Sequence, residues 1–347
     1  MWHFGRRPGR AARSDDIGAL LLPEPFAADP GLRTVCEAVR EGDAEAGVPL
    51  LVESREDPEL RTLRAAELGR AAAERPEEVA VLVEHGADRA DAVLWLGYAL
   101  LARALDRPAA VSTAETKAAS AALHEARETL QAAVALRSDD AVAWEGLQRV
   151  ELALRAPRSE RDRTWRETVA RAPHLFSAHV TRVRSVAVAD AGTPAAAAAD
   201  EMFAFAGSVA DTAPEGSPLP AVLALAHAEF LRRERARLRG EGSMELVVQQ
   251  ALGRLHGEAA RELFSFARDW VSAAVPHPRD AQAHHLFGWA LHRAGMTDAA
   301  RWHLTAVGTV RCDLPWSFFG DPTAELVRTL TELGVDPGRA PDVPPPL

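Results

Sequence analysis

A chain of 347 residues that is 47% hydrophobic, 26% charged and 6% aromatic has the length for one large or two ordinary domains and enough apolar material for a substantial core. Fifty acidic against forty basic residues give a formal charge of −10, which argues against a nucleic-acid partner, because phosphates are bound chiefly through Lys and Arg. Its two cysteines, Cys36 and Cys312, lie far apart in sequence and indicate neither a disulfide framework nor a thiolate metal site, so a reducing compartment is expected.

Residues 1–29 read as a mobile N-terminal arm. The stretch MWHFGRRPGRAARSDD carries Arg6, Arg7, Arg10 and Arg13 and closes on two acids. A secretory leader needs an apolar run of roughly 7–15 residues after its charges. The apolar run starting at Ile17 ends at Leu22, before Pro23 and Pro25, and is too short. No window approaches the ~18 apolar residues of a membrane span, so a soluble, cytoplasmic protein is expected. From residue 30 onward Ala, Leu, Arg and Glu dominate segments of helical period, with almost no alternation of β-branched residues. Breaks fall at Asp57-Pro58, Arg75-Pro76, His85-Gly86, Arg107-Pro108, Ser138 to Asp140, Ala172-Pro173, Gly192 to Pro194, Gly240 to Ser243 and Gly295. The fold class is therefore all-α. Residues 30–105 form a less regular N-terminal helical part, 106–333 a run of antiparallel helix pairs that stack as a solenoid, and 334–347 a proline-rich tail of polyproline-II character.

Residues 281–308, AQAHHLFGWALHRAGMTDAARWHLTAVG, define the type of pair. Gly288 and Ala300 lack the bulk to hold two helices apart, while Phe287, Leu291 and Leu304 fill the seam between them. Gly295 marks the break, and Asp298 favours the second helix's N-terminus. With Gly288 at the small position of the first helix and Ala300 at that of the second, this unit resembles a tetratricopeptide repeat, a helix–turn–helix of ~34 residues. It departs from the pattern at Val307, where Ala is usual, and in its late Pro315. Trp95-Leu96-Gly97-Tyr98 and the stretch from Trp144 to Pro173 resemble further, more degenerate units. The segments at 200–206, 214–219 and 315–322, in that order around the repeats, are also similar to a family of uncharacterised bacterial proteins with tetratricopeptide-like helices. That resemblance spans most of residues 30–333 and implies no activity.

Sequence signatures of catalysis are absent: no phosphate loop, no dinucleotide-binding glycines and no nucleophile elbow. His124-Glu125 opens like a zinc-protease helix but lacks the second His one turn on. His277, His284, His285, His292 and His303 cluster in sequence and suggest a small-ligand or metal-dependent enzyme as an alternative reading, yet His285 and His292 would stand about 10 Å apart along a helix axis. Arg232, Arg233, Arg235, Arg237 and Arg239 read as a solvated, positively charged helix end, with a seat for an acidic partner or phosphate as the alternative. Trp316, Phe318 and Phe319 read as a plug that closes the apolar core of the last repeat.

In tetratricopeptide arrays the first helix of each pair lines a concave groove. The resemblance places Gln282, His285, Trp289, His292 and Arg293 on that face, and Tyr98, Glu145 and Arg149 at analogous positions of earlier units. A face bearing Trp, two His and Arg where Lys and Glu are ordinary has the composition of a binding hot spot. The expected function is a non-enzymatic interaction scaffold for a peptide or protein, with no cofactor and no metal. An oligomerisation module that stacks through its terminal helices is a further alternative.

Overall fold

The computed structural model describes residues 14–86, 88–106, 113–189, 194–239 and 253–338, and these are built almost wholly of α-helix. The N-terminal arginines Arg6, Arg7, Arg10 and Arg13 and the terminal prolines Pro341, Pro344, Pro345 and Pro346 lie outside the described residues. Short elements come first: α1 (Ser14–Leu20), β1 (Leu22–Pro23), α2 (Glu24–Ala28), α3 (Pro30–Glu41) and α4 (Gly47–Glu53). Longer helices follow as α5 (Pro58–Ala71), α6 (Pro76–His85), α7 (Arg89–Leu105), α8 (Thr113–Leu136), α9 (Ala141–Leu154) and α10 (Arg158–Arg171). The remainder comprises α11 (Phe176–Val186), α12 (Ala195–Thr212), α13 (Ala221–Arg239), α14 (Glu258–Ala273), α15 (Asp280–Arg293), α16 (Thr297–Ala306), β2 (Val310–Arg311) and α17 (Pro322–Leu333).

Helix starts follow local chemistry. Asp57, Asp140 and Asp321 each cap a helix, accepting the backbone N–H of Leu60 (3.0 Å), Val142 (3.0 Å) and Ala324 (2.8 Å). Pro58 and Pro322 occupy first-turn positions, where a backbone donor would have no partner inside the helix.

Neighbouring helices pack in pairs, with α7 on α8, α9 on α10, α12 on α13 and α15 on α16. Two seams repeat one device. A Cβ built on Gly97 would stand 2.7 Å from the Leu130 side chain, and one on Gly288 would stand 2.7 Å from that of Leu304. In both, a glycine on the first helix admits a leucine from the second. Alternate helices also touch: α5 meets α7, α7 meets α9, α9 meets α11, α11 meets α13 and α13 meets α15, and α5 reaches α9 as well. One apolar core is gathered around Trp95, Tyr98 and Leu130, and another around Phe176, Phe287, Trp289 and Trp316.

From Ser14 onward the expected N-terminal arm is structured. Ile17 is buried, α1 packs on α17, and β1 pairs in parallel with β2, Leu22 opposite Val310. An arm reading rests on low apolar content, which misses a short segment whose partner lies almost 300 residues downstream.

The glycine seam yields a pair of expectations of opposite sign. Gly288→Ala should lower stability by about 1–3 kcal/mol, because its Cβ collides with Leu304. Gly207→Ala, in the interior of α12 with nothing within 4 Å of the new Cβ, should raise it by about 0.5–1 kcal/mol. Urea unfolding of both variants beside the parent measures the two signs.

Candidate functional site

Helices α3, α5, α9, α11 and α13 help to wall a cavity of about 680 Å³ whose lining holds nine arginines against three acids, Glu24, Glu67 and Asp313. Helices α3 and α5 supply Arg40 and Arg70, α9 supplies Arg149 and its C-cap Arg155, α11 supplies Arg184, and α13 supplies Arg232 and Arg233. Arg279, just before α15, and Arg311 on β2 complete the set, and Pro23 to Phe26 contribute further lining.

Two buried carboxylates hold three of these arginines in place. Glu145, fully buried, accepts Arg149 Nε at 2.7 Å and the Tyr98 hydroxyl at 2.6 Å, and Tyr98 also donates to the Val142 carbonyl. Glu229, likewise fully buried, accepts Arg232 Nε at 3.0 Å and Arg233 Nε at 2.7 Å. Arg184 and Arg232 flank the Phe318 ring at 5.7 and 5.4 Å. Arg184 Nε is buried without a hydrogen-bond partner. Burial, and then the charges of Arg232, Arg149 and Arg233, hold its guanidinium below the usual arginine range, partly offset by Glu229. Ser177, Thr181 and Arg184 follow one another at i, i+4 and i+7 on α11, so they share the helix face that lines the cavity.

An acidic corner adjoins this wall. Arg279 lies 3.7 Å from Glu24 and 4.0 Å from Glu59, and the Phe176 backbone N–H donates to Glu59. Burial pushes the Glu59 carboxyl up to about 7 against the pull of Arg279, and raises that of Glu24. Burial also pushes the Cys312 thiol well above its usual range, so it stays protonated at neutral pH.

The sequence-derived face divides in two. Gln282 and Arg149 line the cavity, with Tyr98 and Glu145 buried behind Arg149 as its support. The other half is covered by later segments of the chain. Trp289 is only 1% exposed and stacks on Phe319 at 5.2 Å with the rings 7° apart. His285, also 1% exposed, accepts the Trp316 Nε1–H on Nδ1 (3.2 Å), so Nε2 carries the proton and donates to the Val310 carbonyl at 3.0 Å. His292 lies 3.2 Å from Glu332 on α17, and Arg293 is partly buried there, its guanidinium lowered by burial. The turn at Trp316–Phe318 and α17 thus close the face that one helix's register leaves open, and the aromatic plug read from the sequence supplies the cover.

The histidine cluster is absorbed into the same core. His284 and His303 share a hydrogen bond between their Nδ1 atoms at 2.9 Å, and the Trp270 ring packs against both. Burial lowers His284 and His285 to about 4 and His303 well below its usual value. Among the described residues no group of three or more His, Cys, Asp or Glu is placed to hold a metal ion, and no helix is long and apolar enough to cross a membrane. Compared with known proteins, the chain matches no family model, no curated protein and no solved structure.

The remaining arginines escaped the sequence reading for a physical reason. Arg40, Arg70 and Arg184 each sit in the last turn of a helix, where a cation is ordinary because it offsets the macrodipole. Their convergence was visible only in part, through the repeat register that placed Arg149 and Gln282.

The buried imidazoles carry a pH signature. Their folded-state values lie below the 6.5 of a free histidine, so their contribution is fully present above pH ~6.5 and is lost as pH falls toward 4. Proton NMR should show the His285 imidazole resonances unmoved from pH 8 to about pH 5, while urea midpoints fall over the lower part of that range. A normal titration near 6.5 would show an imidazole in contact with water.

Proposed function

We propose that this chain is a non-enzymatic binding protein of tetratricopeptide-like build, in which an acidic segment of a partner peptide or protein seats in the arginine-lined cavity. The solenoid reading is supported by helix pairs whose alternate members touch in series from α5 to α15, and by the repeated glycine–leucine seam. In this reading α5, α7, α9, α11, α13 and α15 are the inner helices of the array, and the cavity is its concave face.

One observation carries the ligand class: nine arginines surround a single cavity in a chain whose net charge is −10. Such a local surplus concentrates an anion, while the acidic remainder of the chain repels the bulk of other acidic proteins. The volume falls within the ~300–1,000 Å³ of ligand sites, which suits a short inserted segment better than a docked helix. Arg149 and Gln282 act directly in the wall, and Tyr98 and Glu145 fix Arg149. Trp289, His285, His292 and Arg293 hold the cover of the last repeat in place and have no part in contacting the partner.

Fluorescence anisotropy with a labelled hexaglutamate peptide tests the proposal on the full chain. Binding should weaken steeply from low to half-molar salt. Arg40→Glu/Arg155→Asn, at two exposed positions with Asn chosen because Arg155 is left-handed (φ 50°), should cost about tenfold in affinity with melting unchanged. Absence of binding at low salt, or affinity indifferent to the double substitution, overturns it.

A further inference from the structure

Three successive inner helices present donors to one part of the cavity. Helix α9 gives Arg149, α11 gives Ser177, Thr181 and Arg184, and α13 gives Arg232 and Arg233. Two of these donors are buried and unmet: Ser177 Oγ and Arg184 Nε have no hydrogen-bond partner. A buried polar atom in that state is destabilising, and both atoms belong to residues that line an open volume. Among the described residues, Arg149 pairs with Glu145, and Arg232 and Arg233 pair with Glu229, so with Arg184 the four guanidiniums and two buried carboxylates leave a formal excess of two positive charges on this wall.

From these groups we propose that the wall formed by α9, α11 and α13 is a phosphoryl subsite, and that the captured segment carries a phosphomonoester on a serine or threonine. This rests on the reading of the cavity as the seat of an acidic segment. The match is chemical. A phosphomonoester brings close to two negative charges and three acceptor oxygens, whereas a carboxylate brings one charge and two. Two hydroxyls and four guanidiniums converging from three helices offer more donors than one carboxylate can fill. Glu145 and Glu229 engage Arg149 and Arg233 through Nε, and Arg232 through Nε and one Nη, so these guanidiniums are oriented before a ligand arrives and little side-chain entropy is lost on binding. Phe318, between Arg184 and Arg232, steadies the other side. A nucleic-acid strand is a poorer fit, since Phe26 is the only aromatic side chain among the cavity's described lining and bases would lack a stacking platform.

The test compares a labelled Glu-Glu-phosphoserine-Glu-Glu peptide with its unphosphorylated counterpart, using inorganic phosphate and a short oligouridylate as competitors. The phosphopeptide should bind about tenfold or more tightly than its counterpart, and the gain should shrink below pH ~6 as the phosphate takes up its second proton. Ser177→Ala should erase most of the gain, lowering the phosphopeptide's affinity several-fold more than the plain peptide's, and Arg184→Gln should widen that difference. Should Arg184→Gln fail to fold, Ser177→Ala removes a single atom and decides alone. Equal affinity of the two peptides overturns the phosphoryl subsite and leaves acidic capture standing. Binding of neither peptide overturns the reading beneath it. Inorganic phosphate that displaces the phosphopeptide, when the plain peptide has no affinity, keeps the subsite and removes the acidic segment. Oligouridylate that outcompetes both peptides overturns the phosphopeptide assignment.

Discussion

Two fully buried carboxylates, Glu145 and Glu229, are the counter-charges on which the inner wall depends. A carboxylate at that depth is tolerable only when paired, and breaking such a pair typically costs about 3–5 kcal/mol. Here the partners are Arg149, Arg232 and Arg233, all of which also line the cavity. The same ion pairs therefore satisfy the fold and aim the site. Tyr98 extends this arrangement back to the first repeat-like unit, since its hydroxyl meets both Glu145 and the Val142 carbonyl. Phe318 extends it forward to the C-terminal plug through Arg184 and Arg232.

Concentrating nine arginines around one volume raises the question of what offsets their repulsion. Part of the answer is secondary structure. Arg40, Arg70 and Arg184 lie in the last turns of α3, α5 and α11, and Arg155 is the C-cap of α9. Each stands where helix carbonyls present partial negative charge, an interaction of about 0.3–1 kcal/mol per residue. Arg155 adopts this place in a left-handed conformation, φ 50°, that glycine would hold with less strain. A bulky cation at a strained cap on the cavity's edge sacrifices some stability for charge placement, as residues at functional positions do. The global charge of −10 conceals this local surplus, because acids dominate elsewhere in the chain.

Sequence periodicity reached the helices, their breaks and the glycine–leucine seam, because these depend on residues close in sequence or on one helix pair. Gly288 against Leu304 and the capping aspartates are of this kind. Trp289 and His285 show where such reasoning stops. Their positions on α15 define a face, yet what covers that face arrives from Trp316, Phe319 and α17. Register along one helix carries no information about a segment that folds back later. The arginine cavity was obscured differently: Arg40, Arg70, Arg155 and Arg184 each have a sufficient local explanation at a helix end, and only the packing of separate helices turns these cations into part of one site.

The joined ends of the chain bear on the same volume. β1 pairs with β2, and the residues flanking that pairing, Glu24 on α2 and Cys312 after β2, line the cavity opposite the inner helices. Glu24 and Glu59 approach Arg279, which brings the N-terminal segment, α5 and the start of α15 to one corner. With Glu59 near half-protonated at neutral pH, this corner does not cancel the cavity's positive charge to the extent that its carboxyl count suggests. The parallel pairing of two short strands thus does more than tie off the ends. It holds Glu24 within 3.7 Å of Arg279, where burial raises that carboxyl above its ordinary value.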